Sequence, residues 1–512
     1  MVGDLELLNK VGANRALGPI RFRKLGGKVL VTNDFGRWVR LSEADFERLI
    51  TGEIRPDDPL HRDLEQKLIL RSPEFLKRAV AVDRSRKDFL STGPNLHIII
   101  VTLRCNYTCI YCHASRVPMD QPAYDMTPAT AHLVVDKIFE SNSPSINIEF
   151  QGGEPLANWP VARDIIEYAL QKNRTEGRNL AFTLVSNLSL MDEEKLAFLI
   201  DNNIYVCTSV DGPRDLHEKN RIYTGGKSSS YDETVRWMTR FNEEYAKRGY
   251  DSDVFHVDAL MTATRFSLPL WKEIVDEYVK LGQKSIHFRP LNPFGFVAKT
   301  WETIGYGPED YFEFYRQGLE YVLELNLKGT DIIERMAAIY LTRILTDRDP
   351  NYMELRSPCG AGIGQVAYNY DGEVYTCDEG RMMAQMGDDI FKMGRVDTHT
   401  HQELMEAPEV RSLLVASTQD SVPMCSDCTY MPYCGLCPIY NYAAQGDIFG
   451  SMPTNARCAT ALKTFDLLFD HLDSADDQKR KIFDRWITQK FRQLDACTPY
   501  GGGPGGDVRG PA

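Results

Sequence analysis

The 512-residue chain has no apolar run of about 18 residues, so nothing in it reads as a membrane span. It has no surplus of positive charge either. Lys and Arg number 59 against 72 Asp and Glu, a net of -13, which excludes nucleic acid as a bulk partner and leaves at most a local basic groove. The opening "MVGDLELLNK" lacks the basic stretch and apolar core of a secretory signal. We find no internal repeat. These absences predict a cytoplasmic protein with no membrane and no nucleic acid among its partners. In that reducing compartment the twelve cysteines should not form structural disulfides.

What is present is a globular composition, 43% apolar and 10% aromatic, on a chain too long for one core. Two or three domains are expected. The cysteines are grouped. Three stand at 105, 109 and 112, seven lie between 359 and 458, and only Cys207 and Cys497 stand apart. Clustered thiols in a cytoplasmic chain read as metal or iron–sulfur ligands.

Residues 1–92 read as a small α+β module. "IRFRKLGGKVLVTNDFGRWVRLS" alternates apolar and polar residues across two breaks, predicting two or three antiparallel strands. The helix "SEADFERLITGEI" follows, with Ser42 as N-cap and Gly52 at its end. The module either packs on the next domain or is a winged-helix-like unit that grips a peptide as an added strand at its sheet edge. Over 93–335 the pattern becomes strand–helix repeats. Apolar strands at "LHIIIVTLR", 145–151, 180–186, 204–210, 254–262 and 285–291 alternate with helical stretches. Six such units predict α/β architecture with a parallel sheet, too few for a closed eight-stranded barrel and therefore an open, partial one. Chemistry in such folds collects at the C-terminal strand ends. Residues 345–465 are cysteine-rich and full of turns, a helix is expected over 466–494, and the Gly/Pro-rich tail 495–512 should be disordered.

"CNYTCIYCHAS" begins directly after the first barrel strand. Three thiolates at C-x3-C-x2-C can hold three irons of a [4Fe–4S] cube and leave the fourth open. Zinc held by three Cys and His113 is the alternative, disfavoured because His113 adjoins Cys112 and has little freedom to converge on the same ion. With "GGEP" (Gly152, Gly153, Glu154, Pro155) ending the second strand, "SN" (Ser186, Asn187) the third and "SVDGPRDLHEKNR" following the fourth, the chain resembles the radical S-adenosylmethionine (AdoMet) superfamily. The resemblance implies that Cys105, Cys109 and Cys112 bind the cluster and that AdoMet chelates its open iron. Tyr111 would lie beside the adenine and GGEP would receive the amino group. Ser186 and Asn187 would meet the ribose, where Leu188 replaces a family Gly. Ser209, Asp211 and Arg221 would sit near the carboxylate and ribose. A tight turn at Asp211 and a surface salt bridge at Arg221 are the plainer readings. The implied chemistry is reductive cleavage of AdoMet to a 5′-deoxyadenosyl radical that takes a hydrogen atom from substrate.

The second set is Cys359, Cys377, Cys425, Cys428, Cys434, Cys437 and Cys458. A zinc ribbon would use such pairs, but seven ligands do not divide into fours. Their order resembles the SPASM domain, which holds two auxiliary [4Fe–4S] clusters, making three in all. The resemblance assigns Cys359, Cys377 and Cys437 to one and Cys425, Cys428, Cys434 and Cys458 to the other. The first has no evident fourth ligand. Asp378 follows Cys377 where sulfatase-maturating relatives place a base; a turn-capping Asp is the alternative. Cys207 reads as a buried apolar residue. SPASM proteins mostly modify peptides or proteins, and the N-terminal text resembles the His-Xaa-Ser system maturases. That implies a ribosomally made precursor peptide as substrate, a crosslinking oxidation, and an electron donor such as flavodoxin or ferredoxin. Formylglycine formation on a sulfatase and a non-enzymatic iron–sulfur scaffold or electron carrier are the competing functions.

Overall fold

A computed structural model describes residues 12, 14–224 and 228–496. Cys497 and nearly all of the Gly/Pro-rich tail lie outside the described residues. The first sheet is an antiparallel meander of β1 (Ile20–Leu25), β2 (Lys28–Asn33) and β3 (Trp38–Leu41). Asn33 Oδ1 closes the second turn by accepting from the amides of Phe35 and Arg37. The helix Glu43–Thr51 follows; Ser42 caps it by accepting from the Asp45 amide, and Gly52 ends it in the left-handed region. Val29, Val31, Leu41, Phe46 and Leu49 form this unit's own core. It is also tied to the rest of the chain. Thr32 Oγ1 donates to the Thr429 carbonyl at 2.7 Å, Arg40 pairs with Asp470, and the Trp38 ring meets Phe469 edge-on.

The remaining strands are β4 (Leu96–Ile100), β5 (Tyr107–Cys109), β6 (Ser145–Gln151), β7 (Asn179–Val185), β8 (Tyr205–Ser209), β9 (Arg221–Tyr223), β10 (Asp258–Thr262), β11 (Ser285–Ile286), β12 (Phe288–Arg289), β13 (Ile333–Glu334), β14 (Gln365–Tyr368), β15 (Glu373–Tyr375) and β16 (Lys392–Arg395). Nine of them make one sheet in the order β12-β10-β8-β7-β6-β4-β14-β15-β16. It is parallel from β12 through β14 and antiparallel beyond. Helices Pro128–Phe139, Trp159–Glu176, Glu193–Asp201, Ser230–Lys247 and Trp271–Lys280 cross over between the strands. The six expected strand–helix units are therefore β4, β6, β7, β8, β10 and β12, an open parallel arc.

Strand β6 shows how the arc acquires a polar interior. Ile146, Ile148 and Phe150 are buried with helix residues such as Val134, Val135 and Ile165. Asn147, Glu149 and Gln151 alternate with them on the opposite, inner face. A continuous apolar run buried on both faces holds for β4 but not for β6.

Two features depart from the sequence expectation. The cysteine-rich region contributes β14, β15 and β16 to the barrel sheet, with β14 lying parallel to β4. "QVAY" is too short to show a period, and it pairs because all four residues are buried. The C-terminal helical stretch is two helices, Ala456–Asp473 and Asp477–Ala496, and the first runs unbroken through position 465. Phe465, Leu468 and Phe469 on that helix are fully buried, which fastens it to the core.

Glu334 closes the arc's far side. It is fully buried, accepts from the Ala337 amide at 2.6 Å and from Tyr315 Oη at 2.8 Å, and caps the helix Arg335–Leu345. Burial pushes its carboxyl up to about 7 from an ordinary 4.5. The folded state thus holds a proton that the unfolded chain has released. Stability from this group is full below about 4.5 and is lost as pH rises through about 7. Glu334→Gln should make the urea midpoint fall less over that window than it does in the parent; identical slopes would contradict this.

Candidate active site at the barrel mouth

The segment leaving β4 carries Cys105, Cys109 and Cys112, and three features hold it. Cys109 pairs with Arg221 in the β5–β9 ribbon. The Cys112 carbonyl accepts from the Phe296 amide at 2.9 Å. Cys105 Sγ accepts from the Tyr107 amide at 3.4 Å and lies 3.8 Å from Asn187 Nδ2. Burial raises the Cys105 thiol well above its ordinary value, and the neighbouring Cys109 and Cys112 raise it further. Burial likewise pushes Cys109 up to about 12. These are thiols that stay protonated until a metal centre displaces the proton.

Behind this loop sits Asp211, with none of its surface exposed. Tyr111 Oη donates to its two oxygens at 2.8 and 2.6 Å. Arg221 Nε is 3.2 Å away, Asn220 Nδ2 3.2 Å, and the Thr262 amide 3.2 Å. Asp211 is therefore saturated by its neighbours, and it positions Tyr111 and Arg221. Arg221 lies 5.2 Å over the Tyr111 ring and is largely buried, so the surface salt-bridge reading fails. A tight turn alone does not describe Asp211 either. Ser209 ends β8 on the same inner face and makes no side-chain hydrogen bond among the described residues.

Gly152, Gly153, Glu154 and Pro155 pack flush against the chain that leads into Cys105. A Cβ on Gly152 would meet the Thr102 carbonyl at 2.3 Å, and one on Gly153 the Arg104 and Leu103 carbonyls at 2.3 and 2.4 Å. The glycines thus serve the approach of two protein segments, where the sequence suggested approach to a ligand. Glu154, 1% exposed, accepts from Ser186 Oγ at 2.7 Å and the Asn187 amide at 2.8 Å, which locks the second and third strand-end loops together. Asn187 Nδ2 continues the chain to Asn106 Oδ1 at 3.1 Å. Leu188 keeps the left-handed backbone (φ 62°) that glycine adopts freely, fully buried, so its side chain is accommodated at the cost of strain.

The second set of cysteines divides in space. Cys359, Cys377 and Cys437 share one buried cluster with Met382, Phe391 and Ile439. Cys425 and Cys458 share another, and Cys434 feels Cys428, Cys458 and Cys425 as near neighbours. Two thiols cap helices: Cys377 Sγ accepts from the Gly380 amide and Cys437 Sγ from the Tyr440 amide, each at 3.4 Å. The cap at Asp378–Gln385 is therefore Cys377, and the turn-capping reading of Asp378 is overturned. Asp378 accepts from Arg381 Nε at 3.0 Å and is a charged neighbour of Glu149 on the barrel's inner face. Between the end of β12 and these cysteines lies a cavity of 640 Å³, whose lining includes Arg289, Tyr352, Glu354, Cys434, Cys437 and Arg457. The sequence reading passed over Arg289, Glu354 and Arg457; only Arg457, adjoining Cys458, carried a positional hint.

Among the described residues no three His, Cys, Asp or Glu side chains converge as ligands of one metal ion. A cube asks for a different arrangement, one thiolate at each of several irons. The soft all-sulfur donor sets, the amide N–H groups directed at three of the thiols, and the clamped loop fit that group.

Residues 99–250 match the radical SAM superfamily and residues 359–429 match SPASM, an iron–sulfur cluster-binding domain. The chain carries a radical SAM domain and a SPASM domain. The first family implies a [4Fe–4S] cluster and AdoMet, and the second domain binds auxiliary iron–sulfur clusters. An uncharacterized protein of Methanocaldococcus jannaschii is 30% identical over 198 residues, which are 38% of this chain and 63% of that one. The chain thus spans less than two thirds of that relative. A cysteine-type anaerobic sulfatase-maturating enzyme of Clostridium novyi is 22% identical over 338 residues, 64% of this chain and 83% of the relative. Among solved structures, native anSMEcpe with bound AdoMet superposes with a TM-score of 0.62 at 19% identity, covering 76% of this chain and 99% of that one. Streptococcus suis SuiB bound to precursor peptide SuiA gives 0.50 at 14%, covering 85% and 98%.

Gly153→Ala should push the GGEP loop off the Leu103–Arg104 carbonyls. In the reconstituted protein AdoMet affinity, measured by calorimetry, should drop at least about tenfold, some 1.4 kcal/mol, with helix content unchanged. Parent-like affinity would contradict the packing account.

Proposed function

We propose that this chain modifies a ribosomally made precursor peptide, oxidatively crosslinking its side chains at the barrel mouth. In this reading Cys105, Cys109 and Cys112 hold the AdoMet-binding cluster. Two auxiliary clusters, one on Cys359, Cys377 and Cys437 and one on Cys425, Cys428, Cys434 and Cys458, bring the total to three. When bound, these groups supply a 5′-deoxyadenosyl radical and a sink for the second electron, with first reduction from a donor such as flavodoxin or ferredoxin. The chain's own residues do the rest. Asp211 holds Tyr111 and Arg221 in place for the nucleotide. Glu154 keeps the GGEP and Ser186–Asn187 loops in register around it. Asp378, oriented by Arg381, is in this reading the base that accepts the proton leaving the substrate.

The observation that carries the reading is the cavity. Its 640 Å³ reach from Arg289 at the last barrel strand to Cys437 of one auxiliary group and to Cys425, Cys428, Cys434 and Cys458 of the other, so a substrate side chain entering past Arg289 would share the space with a cluster. The N-terminal meander supports a peptide partner, because among the described residues no other strand of its sheet takes the outer edges of β1 and β3. Its text resembles the His-Xaa-Ser maturases, and SuiB, which shares the fold, was solved with a precursor peptide. The coverage of the sulfatase-maturating relative favours a second reading, formylglycine formation.

The test is mass spectrometry of a short peptide encoded beside this gene, incubated with reduced, reconstituted protein and AdoMet. Loss of a hydrogen pair, with fragmentation blocked between two residues, is expected. An aldehyde trapped by hydrazide on a sulfatase peptide would replace this reading with the second.

A further inference from the structure

Both faces of the N-terminal meander are covered. Val29, Val31, Val39 and Leu41 point into the module's own core. The residues between them point the other way. Strand register sets them in two rows, Arg21–Thr32–Trp38 and Arg23–Leu30–Arg40. Part of this second face lies on the helix Ala456–Asp473. Trp38 meets Phe469, Arg23 pairs with Asp466 at 2.8 Å, and Arg40 pairs with Asp470. The rest lies on the loop Cys425–Cys434. Arg21 Nε donates to the Ser426 carbonyl. Thr32, fully buried, donates from Oγ1 to the Thr429 carbonyl at 2.7 Å. The module adds two contacts from outside its strands. Arg86 Nη2 donates to the Pro432 carbonyl at 2.7 Å, which also accepts from Arg343 Nη2 at 3.1 Å, and the Gly36 carbonyl accepts from Tyr433 Oη at 3.2 Å. Each of these contacts falls between cysteines of the second auxiliary group.

A peptide unit is planar and trans, so fixing its carbonyl on one side aims its amide at the other. The unit joining Thr429 and Tyr430 has its carbonyl on Thr32. Its amide acts on the opposite side, at Cys428: burial raises that thiol, and the Tyr430 amide works against the rise. Hydrogen bonds to sulfur are one means by which a protein sets a cluster's reduction potential. They favour the reduced state, which carries more negative charge.

We propose that Thr32, with Arg21 and Arg86, positions the Cys425–Cys434 loop, and that the N-terminal sheet is thereby a wall of the auxiliary cluster held there and sets its potential. This rests on the assignment of Cys425, Cys428, Cys434 and Cys458 to one cluster. It deepens the functional reading: the sheet that offers its edges to a peptide presses its face on a cluster of the electron sink. Without the Thr32 hydroxyl the buried Thr429 carbonyl has no partner, and the peptide unit turns to find one.

The test is an EPR-monitored redox titration of the full chain, reconstituted anaerobically with all its clusters. It needs no substrate peptide, so its outcome is independent of the crosslinking assay. The signal missing from Cys425→Ala belongs to this cluster. Thr32→Val keeps the shape of the side chain and removes the donor. It should lower the midpoint potential of that signal and shift its g values, with the other signals unchanged. Thr32→Ser should restore both. Arg40→Gln, which cuts the same sheet from Asp470, should leave the midpoint where it is. If Thr32→Val loses iron at every site, Arg21→Gln, which frees the Ser426 carbonyl, is read in the same way. A parent-like midpoint in Thr32→Val and Arg21→Gln, or an equal shift in Arg40→Gln, would overturn the positioning role. Should Cys425→Ala remove no signal, the cluster assignment beneath it falls, a distinct result.

Discussion

The barrel mouth depends on one buried charge. Asp211 lies out of reach of water, and a carboxylate so placed is tolerable only when every lone pair is answered. Tyr111, Asn220, Arg221 and the Thr262 amide answer it. Three of those partners belong to pieces of chain that have to be held together: Tyr111 to the three-cysteine loop, Arg221 to the ribbon paired with Cys109, Thr262 to the C-terminal end of β10. The geometry of the cysteine loop is thereby inherited from the barrel. A second latch acts in the same direction, because Glu154 joins the loops after β6 and β7, and Asn187 passes that connection to Asn106 inside the cysteine loop.

The second constraint is the sheet itself. Because β14 continues β4 in parallel, the cysteine-rich region grows from the barrel's own hydrogen-bonding edge. Its two groups of thiols therefore share a cavity with the end of β12. The inner face of the arc, with Asn147, Glu149 and Gln151, is polar and less buried than the face that packs on the helices.

Much of this was legible in the residues. The strand–helix alternation gave six parallel units, Ser42 and Gly52 marked the first helix through ordinary capping chemistry, and cysteine spacing separated a loop of three from a later set of seven. What escaped were contacts made by residues far apart in the chain. Nothing local distinguishes "QVAY" as a strand, since its pairing depends on β4. The glycines of GGEP suggested a ligand; the fold adds that their missing side chains make room for the carbonyls of Thr102, Leu103 and Arg104. A cap was the alternative reading of Asp378 because Asp is a good one, yet a thiol takes that role.

The central claim is that Cys105, Cys109 and Cys112 complete three corners of a cluster whose fourth is completed by AdoMet. Release of 5′-deoxyadenosine by the anaerobically reconstituted, dithionite-reduced chain tests it most directly. The account predicts release by the parent and none above background by Cys105→Ala, with both auxiliary cysteine groups intact. Equal release by the two proteins would contradict it.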